Sequence, residues 1–565
     1  MRKGWWLVLL GMALVLGGSW QASRIQTVGG IAISDIRFRS PAGTVMSALL
    51  YVPPGATAAT PAPGILAVHG YINSRETQDG FAIEFARRGY VVLALDQTGH
   101  GYSGGAAFSE GFGGPAGLAY LRGLPMVDKA NIGLEGHSMG GWAVLAAAAA
   151  MPGDYRAMVL EGSSTGKPFA AEGTPAWPRN LALVFSRFDE FSRFMWDVDR
   201  AQDVASSSRL QTVFGTNGVV SGRIYGNIAD GTARRLTQPV TTHPGDHISH
   251  AAIADALDWF GQTLKGGTTL PAGDQIWLGK EVATGAALIG FLGLLAGSFE
   301  LLLALPVFAA LRRAPPPGRP RRDGRWWRQL ALTALLPAIS FFPAFILVTA
   351  ALPPSSLLPQ TVTTQVMVWA LINAGVTVLA MRSGVSAVTA PPPRAAPHWL
   401  LAALLVLATA AIGYAVLAAM AAWFTVDFRF WVVALKPLSL DQLRVALVYL
   451  VPLCFAHVVM LGALGRLAVA GDGWITRYGV AGLALTGGFV LLLVLDYGIF
   501  FATGRLPTAF DPLTTVIAIQ FVPLLAAIAA IGTFAWARTG SAAAGGLLCG
   551  LLVTWYVVAG TATQI

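Results

Sequence analysis

Apolar and polar positions divide the chain into two kinds of text. From about Ile31 to Leu270, short apolar runs alternate with amphipathic stretches. Gly64–Val68, Val91–Leu95, Ile132–Glu135, Met158–Leu160 and Leu181–Phe185 read as strands, and Phe81–Arg88 and Gly140–Ala150 read as helices between them. Such alternation predicts a mostly parallel sheet covered by helices on both faces. Ahead of it, Ile36–Phe38 and Val45–Tyr51 read as a hairpin turning at Pro41-Ala42-Gly43. From about residue 280 the apolar runs lengthen. Eight of them, near 283–310, 329–352, 363–381, 398–424, 443–465, 479–502, 513–537 and 541–561, have about the 20 residues needed to cross a bilayer core. At the start, Arg2-Lys3 precede an apolar run from Trp5 to Leu16, a pattern of an uncleaved anchor or a signal peptide. The bulky Trp20 makes a poor cleavage site and favours the anchor. The expected organisation is an anchor or signal segment over 1–22, an α/β domain over 31–270, and an all-α polytopic transmembrane domain over 280–565.

Composition supports that division. Of 565 residues, 54% are hydrophobic and only 12% charged, with a mean hydropathy of +0.59, too apolar for a soluble chain of this length. Residues 1–280 carry 22 Lys and Arg against 21 Asp and Glu, whereas the rest carry 16 against 8. The pI near 9.7 therefore comes from the apolar half, where arginines sit at the ends of the runs. Positive charge on cytoplasmic loops explains that placement without a nucleic-acid partner. Arg312, Arg313, Arg319, Arg321, Arg322, Arg325 and Arg328 fall in one loop, followed on the same side by Arg382, Arg394, Arg466, Arg477 and Arg538. The opposite loops carry Arg429, Lys436 and Arg505, with Arg444 at a boundary. This asymmetry puts the α/β domain on the extracytoplasmic side of a plasma membrane, with Ile565 outside. Asp427–Leu440 mixes aromatics with Arg429 and Lys436 and reads as an aromatic belt or an interfacial segment. Glu300, His457 and Asp496 are ionisable groups inside apolar runs; lacking a relay pattern, they read as packing pairs or as groups close to an interface. Cys454 and Cys549 both lie in apolar runs and offer neither a disulfide framework nor a zinc cluster.

The chemistry-bearing signal is Gly136-His137-Ser138-Met139-Gly140, between the strand Ile132–Glu135 and the helix Gly140–Ala150. A strand that turns sharply into a helix needs small residues at both flanks and leaves the serine exposed at the helix N-terminus, the setting of a nucleophile elbow. His69-Gly70-Tyr71 ends the strand Gly64–Val68, and Asp96-Gln97-Thr98-Gly99-His100-Gly101-Tyr102-Ser103 follows the next strand as a glycine loop.

With these motifs, the stretch from about Gly64 to Leu264 resembles the α/β-hydrolase superfamily, in particular its dienelactone-hydrolase and prolyl-oligopeptidase-like esterase branches. The resemblance implies Ser138 as nucleophile and an oxyanion hole formed by the backbone N–H groups of Met139 and Tyr71. His69, Asp96 and His100 are then structural. The order Ser, acid, His makes the last histidine cluster, Thr242–His250, the source of the base. His247 best matches the family's Pro-Gly-x-x-His-like context, with His250 the alternative and His243 too close to the strand. Asp189 matches the acid at the end of a later strand, with Glu190 as alternative; Asp203 and Asp230 are remote, and Asp246 is expected to cap a turn. Residues 198–237 are expected to hold an inserted helix and a hairpin. The implied chemistry is attack of Ser138 on an acyl carbonyl, an acyl-enzyme, and hydrolysis, requiring no metal or organic cofactor. The expected substrate is a carboxylic ester, small or lipid-like and drawn from membrane lipids. Peptidase or acyltransferase activity shares the same triad, and a transport or sensory protein with a hydrolase-like binding domain is the alternative of another class.

Overall fold

The computed structural model describes residues 2–382 and 396–565, so Met1 and the basic position Arg394 lie outside the described residues. Contacts divide the chain into a sheet unit (Gln21–Val282, Asp496–Pro512 and Gly560–Ile565) and a helical unit (Met1–Trp20, Ala283–Leu495 and Leu513–Ala559).

Helix α1 (Arg2–Gln26) opens the chain. In the sheet unit, nine strands follow: β1 (Ala32–Arg39), β2 (Val45–Val52), β3 (Ala62–Val68), β4 (Val91–Leu95), β5 (Val127–His137), β6 (Ala157–Glu161), β7 (Leu181–Val184), β8 (Ile224–Tyr225) and β9 (Arg234–Thr237). Their order is β1-β2-β4-β3-β5-β6-β7-β9-β8. The pairs β1–β2, β2–β4 and β8–β9 are antiparallel, and β4 through β9 otherwise pair in parallel. Helices α2 (Asp79–Arg87), α3 (Gly114–Gly123), α4 (Met139–Ala150), α5 (Ser192–Trp196), α6 (Ser208–Phe214) and α7 (His250–Thr263) lie between or after them.

Side-chain alternation explains why the central strands read as unbroken apolar runs. Along β3, Leu66 and Val68 face the core shared with Leu118, Leu121 and Val144 of α3 and α4. Ile65 and Ala67 face the opposite core, with Phe81 and Phe85 of α2 and Ile253 and Phe260 of α7. A parallel sheet covered on both faces has no polar side to display. The hairpin expected ahead of the sheet is β1–β2, and the helix and hairpin expected over 198–237 are α6 and β8–β9. Strand β9 also completes the parallel sheet beside β7.

One buried arginine ties the early strands together. Arg75 is 2% exposed, and its guanidinium donates to Asp35 Oδ1 of β1 (2.6 Å) and to Ser47 Oγ (2.8 Å) and the Ala48 carbonyl (2.9 Å) of β2. It also meets Glu76 (3.2 Å) and Asp96 (3.8 Å). Burial disfavours its charge, but these carboxylates outweigh that cost and hold its pKa above the ordinary value.

In the helical unit and at its junctions are α8 (Trp277–Leu303), α9 (Gly324–Ile339), α10 (Phe341–Ala351), α11 (Thr361–Arg382), α12 (Ala396–Phe424), α13 (Leu440–Gly465), α14 (Trp474–Thr503), α15 (Pro512–Thr539) and α16 (Ala542–Gly560). Among the described residues, nine helical stretches are long and apolar enough to cross a membrane by length and composition, α9 and α10 counting as one. The eight that follow the sheet correspond to the eight apolar runs of the sequence. Helices α1 and α8 touch closely at glycines: a Cβ on Gly11 would lie 2.6 Å from the Leu294 nitrogen and 2.7 Å from the Gly290 carbonyl oxygen. Small residues let apolar helices approach so closely. Glu300 pairs with Arg538 at 2.8 Å, and His457 Nδ1 meets the Leu453 carbonyl at 2.7 Å. Phe428–Phe430 and Val433–Leu435, strands β10 and β11, form an antiparallel hairpin within the aromatic segment, with Asp427 and Arg429 paired at 2.7 Å.

Replacing Arg75 by Met should destabilise the sheet unit by about 3–5 kcal/mol, because three carboxylates lose their shared counter-charge. A thermal or denaturant melt of the purified full chain measures this; a change of about 0.5 kcal/mol or less would mean that the cluster rearranges without loss.

Candidate active site

Ser138 follows β5 directly and starts α4, with φ 54° and ψ −121°. That backbone is costly for a non-glycine residue and persists only when the surroundings hold it. Its N–H donates to the Glu161 carbonyl of β6 at 2.8 Å, and its carbonyl accepts from Gly141 N–H at 2.9 Å. The flanking glycines are required by approach. A Cβ on Gly136 would lie 2.3 Å from the Gly140 oxygen, and one on Gly140 would lie 2.0 Å from the Val68 oxygen. The serine itself is half-buried, so its hydroxyl remains reachable.

The loops after β7 and β9 continue the pairing of those strands. Val184 opposes Thr237; beyond the strands, Arg187 N–H donates to the Pro239 carbonyl (2.9 Å) and Phe188 N–H to the Thr241 carbonyl (3.1 Å). Phe188 and Thr242 form a parallel bridge. The next residue on each loop is Asp189 and His243, and Asp189 Oδ2 lies 2.8 Å from His243 Nδ1. Asp189 Oδ1 accepts from Phe191 N–H at 2.8 Å. Gly162, the residue after β6, packs against both: a Cβ there would lie 2.8 Å from His243 Nδ1 and 3.1 Å from Asp189 Oδ2. The pair therefore sits beside the strand end that holds Ser138. Among the described residues, no hydrogen bond joins Ser138 Oγ to His243 Nε2; catalytic contacts of this kind often tighten only with substrate bound.

The imidazole favoured from sequence is placed differently. His247 lies in the short turn Pro244–Ile248, with its ring 4.0 Å from that of His137 and 6.4 Å from Phe81. Asp189 thus meets His243 rather than His247. The physical reason is register: the loops after β7 and β9 stay paired as far as Phe188 and Thr242, so the residue that meets Asp189 is His243, while His247 falls in the turn that follows. His250 is exposed at the start of α7, 3.0 Å from Gln275 Oε1 and against Trp277. Glu190 does not reach the imidazole ring; its Oε2 accepts from the backbone N–H of His243 at 2.8 Å. Asp246 accepts from Ser186 Oγ, and Asp203 pairs with Arg200 at 2.7 Å.

Tyr71 follows the His69-Gly70 end of β3, and Met139 follows Ser138. Among the described residues, neither backbone N–H is taken by a protein acceptor, as an oxyanion hole requires. The Tyr71 phenol accepts from Gln564 Nε2 at 2.8 Å. Asp96 accepts from Arg75 N–H (2.8 Å), Tyr102 N–H (3.0 Å) and Ser47 Oγ (2.8 Å), which makes it a loop brace. His69 Nε2 accepts from Gln97 N–H at 3.2 Å, and His100 Nδ1 meets the Thr98 carbonyl at 3.0 Å.

The buried charges sort by partner. Burial disfavours the imidazolium of His243, but the charge and hydrogen bond of Asp189, with help from Glu190 and Asp246, raise its pKa above the ordinary 6.5. His137, buried among His247 and His243, is held well below that value and stays neutral. Burial pushes the carboxyls of Glu161 and Asp246 well above the usual range. Glu190 is pushed up to about 7 by burial and by Asp189, against the opposing hydrogen bonds from Tyr497 and His243.

The strand order, with its antiparallel second strand and an elbow after the fifth, defines the sheet unit as an α/β hydrolase. Residues 59–213 match the family described as serine aminopeptidase, S33. A monoacylglycerol lipase of Mycolicibacterium smegmatis is 37% identical over 106 residues, which cover 17% of this chain and 36% of that protein. Among solved structures, an esterase of Pyrococcus furiosus shares 18% identity with a TM-score of 0.29, covering 42% of this chain and 94% of its own. The dipeptidyl peptidase 4 of Porphyromonas gingivalis shares 16% identity with a TM-score of 0.30, covering 41% of this chain and 35% of its own.

Gly140→Ala should abolish correct folding of the elbow, since its Cβ would enter the Val68 carbonyl. Gly153, with open space around it, serves as control. Equal yields and melting curves for Gly140→Ala and Gly153→Ala would show that the elbow tolerates a side chain.

Proposed function

We propose that this chain is a membrane-embedded serine hydrolase that cleaves carboxylic esters with an apolar acyl or alkyl part. The observation that carries the reading is the Asp189–His243 pair set beside the Ser138 elbow. In this reading His243 Nε2 takes the Ser138 proton as the hydroxyl attacks the ester carbonyl, and Asp189 stabilises the imidazolium that forms. The N–H groups of Met139 and Tyr71 hold the oxyanion. His243 then protonates the leaving alcohol, and water attacks the acyl-enzyme with the same histidine as base. His243 replaces His247 in the role of base.

An aromatic surface near the elbow supports an apolar substrate. Trp142, one turn along α4, stacks on Phe169 at 4.5 Å. Phe169 contacts Phe108 at 6.2 Å and Phe194 at 6.4 Å, and Phe108 reaches Tyr71 at 5.7 Å. Phe108, Phe169 and Phe194 are each more than a third exposed, an aromatic patch suited to an alkyl chain. The M. smegmatis lipase similarity agrees with an ester substrate. Membrane embedding rests on the nine apolar helical stretches, and an extracytoplasmic hydrolase rests on the arginines of the Arg312–Arg328 loop.

A fluorophosphonate probe should label the wild-type chain and fail on Ser138→Ala. His243→Ala should lower ester turnover by about 10⁴-fold, whereas His247→Ala should retain most activity per folded molecule. Turnover in wild type should rise with pH through a midpoint above 6.5, because a raised His243 pKa keeps the base protonated until then. Full labelling of Ser138→Ala, or loss confined to His247→Ala, would overturn the assignment.

Orientation has its own check. In a background lacking Cys454 and Cys549, a cysteine at the exposed Gly153 should react with an impermeant maleimide on intact cells, and one at the exposed Gly324 should not. The reverse pattern would put the hydrolase in the cytoplasm.

A further inference from the structure

The sheet unit takes in two segments from far along the chain: Asp496–Pro512, which begins in the last turns of α14, and Gly560–Ile565. Both meet the candidate site. Thr563 exchanges backbone hydrogen bonds with Gly99 and Ala107 at 2.8 Å each, which places Gln564 on Tyr71. Phe500 and Phe501 pack edge-on against Phe188, with ring centroids 5.8 and 5.0 Å away. Phe188 immediately precedes Asp189. Beside this contact, Tyr497 Oη donates to Glu190 Oε1 at 2.6 Å. The other oxygen of Glu190 accepts from the backbone N–H of His243.

A carboxylate with both oxygens engaged is a bridge, and its two ends are unequal here. One end is the main chain of the residue that carries the general base; the other is a phenol about 300 residues away in sequence. We propose that Tyr497 is a positioning residue for the hydrolytic site, holding the Glu190 carboxylate that in turn holds the backbone of His243. This rests on the assignment of His243 as base.

The consequences follow from charge. The ionisable groups around Glu190 are Asp189 beside it, His243 and Asp246 from the loop after β9, and Asp496 and Tyr497 from α14. Burial and Asp189 favour the neutral acid, whereas the donors from Tyr497 and His243 favour the carboxylate. Without the phenol, Glu190 loses a donor that favours its charge, and the neutral acid persists to higher pH. Its negative charge, which helps keep the His243 imidazolium, is then lost. His243 therefore deprotonates at lower pH, while its backbone loses a charged acceptor and is held less firmly.

The test is Tyr497→Phe in the full-length chain, with pH–rate profiles on a p-nitrophenyl ester. The expected result is a kcat lower by about tenfold with KM little changed. The acid limb should move to lower pH, as it should in Glu190→Gln. In the Glu190→Gln background, adding Tyr497→Phe should move the limb no further. An unchanged profile in Tyr497→Phe, or the same shift with and without Glu190, would overturn the proposal and leave Tyr497 a packing residue. If Tyr497→Phe does not fold, Glu190→Gln decides alone, and an unmoved acid limb overturns the proposal. Failure of the underlying reading looks different: the wild-type chain would show no probe labelling and no ester turnover.

Discussion

Asp189 is fully withdrawn from solvent, and a buried carboxyl oxygen left without a donor is costly, so each of its oxygens needs a partner. One donor is local, the Phe191 N–H; the other is the His243 ring. That second bond crosses between two loops, and it exists because the loops keep the parallel register of β7 and β9 for several residues past the strands. The candidate triad is in this sense an extension of the sheet. Geometry that begins as a strand ladder ends as the orientation of an imidazole.

The elbow depends on the same sheet. Ser138 can hold a left-handed backbone only because its N–H is fastened to β6 and its glycine neighbours let α4 lie against the end of β3. The histidines behind it divide by environment. His243 has a hydrogen-bonded carboxylate partner and is poised to carry a proton, whereas burial, with His247 and His243 close by, keeps His137 neutral although Asp246 Oδ2 lies 3.7 Å away. Two imidazoles close in space thus have opposite tendencies, which is how burial and a specific charge separate a base from a packing group.

The sheet unit is also not bounded by the chain segment that builds the sheet. Residues beyond 495 supply the partner of Glu190 and the partner of the Tyr71 phenol. Each is a single hydrogen bond, but each ends on a residue next to, or belonging to, the proposed catalytic machinery. Glu300 and His457, which invite a functional reading from their apolar context, have ordinary structural partners instead.

What the sequence determined by itself was local. Apolar periodicity set the strands and the long helices, because a sheet buried on both faces and a helix long enough for a bilayer each need unbroken apolar text. The elbow serine was legible because the glycines two residues before and two residues after it each have a steric reason. Asp189 was legible as the first acid past the end of its strand. Tertiary structure alone decided which histidine meets it. His243 and His247 lie in one short cluster with similar chemistry, and the choice depends on a register between β7 and β9 that sequence spacing does not encode. Tyr497 had no local sign at all: a tyrosine near the end of an apolar helix gains its meaning only when folding brings it against a buried carboxyl.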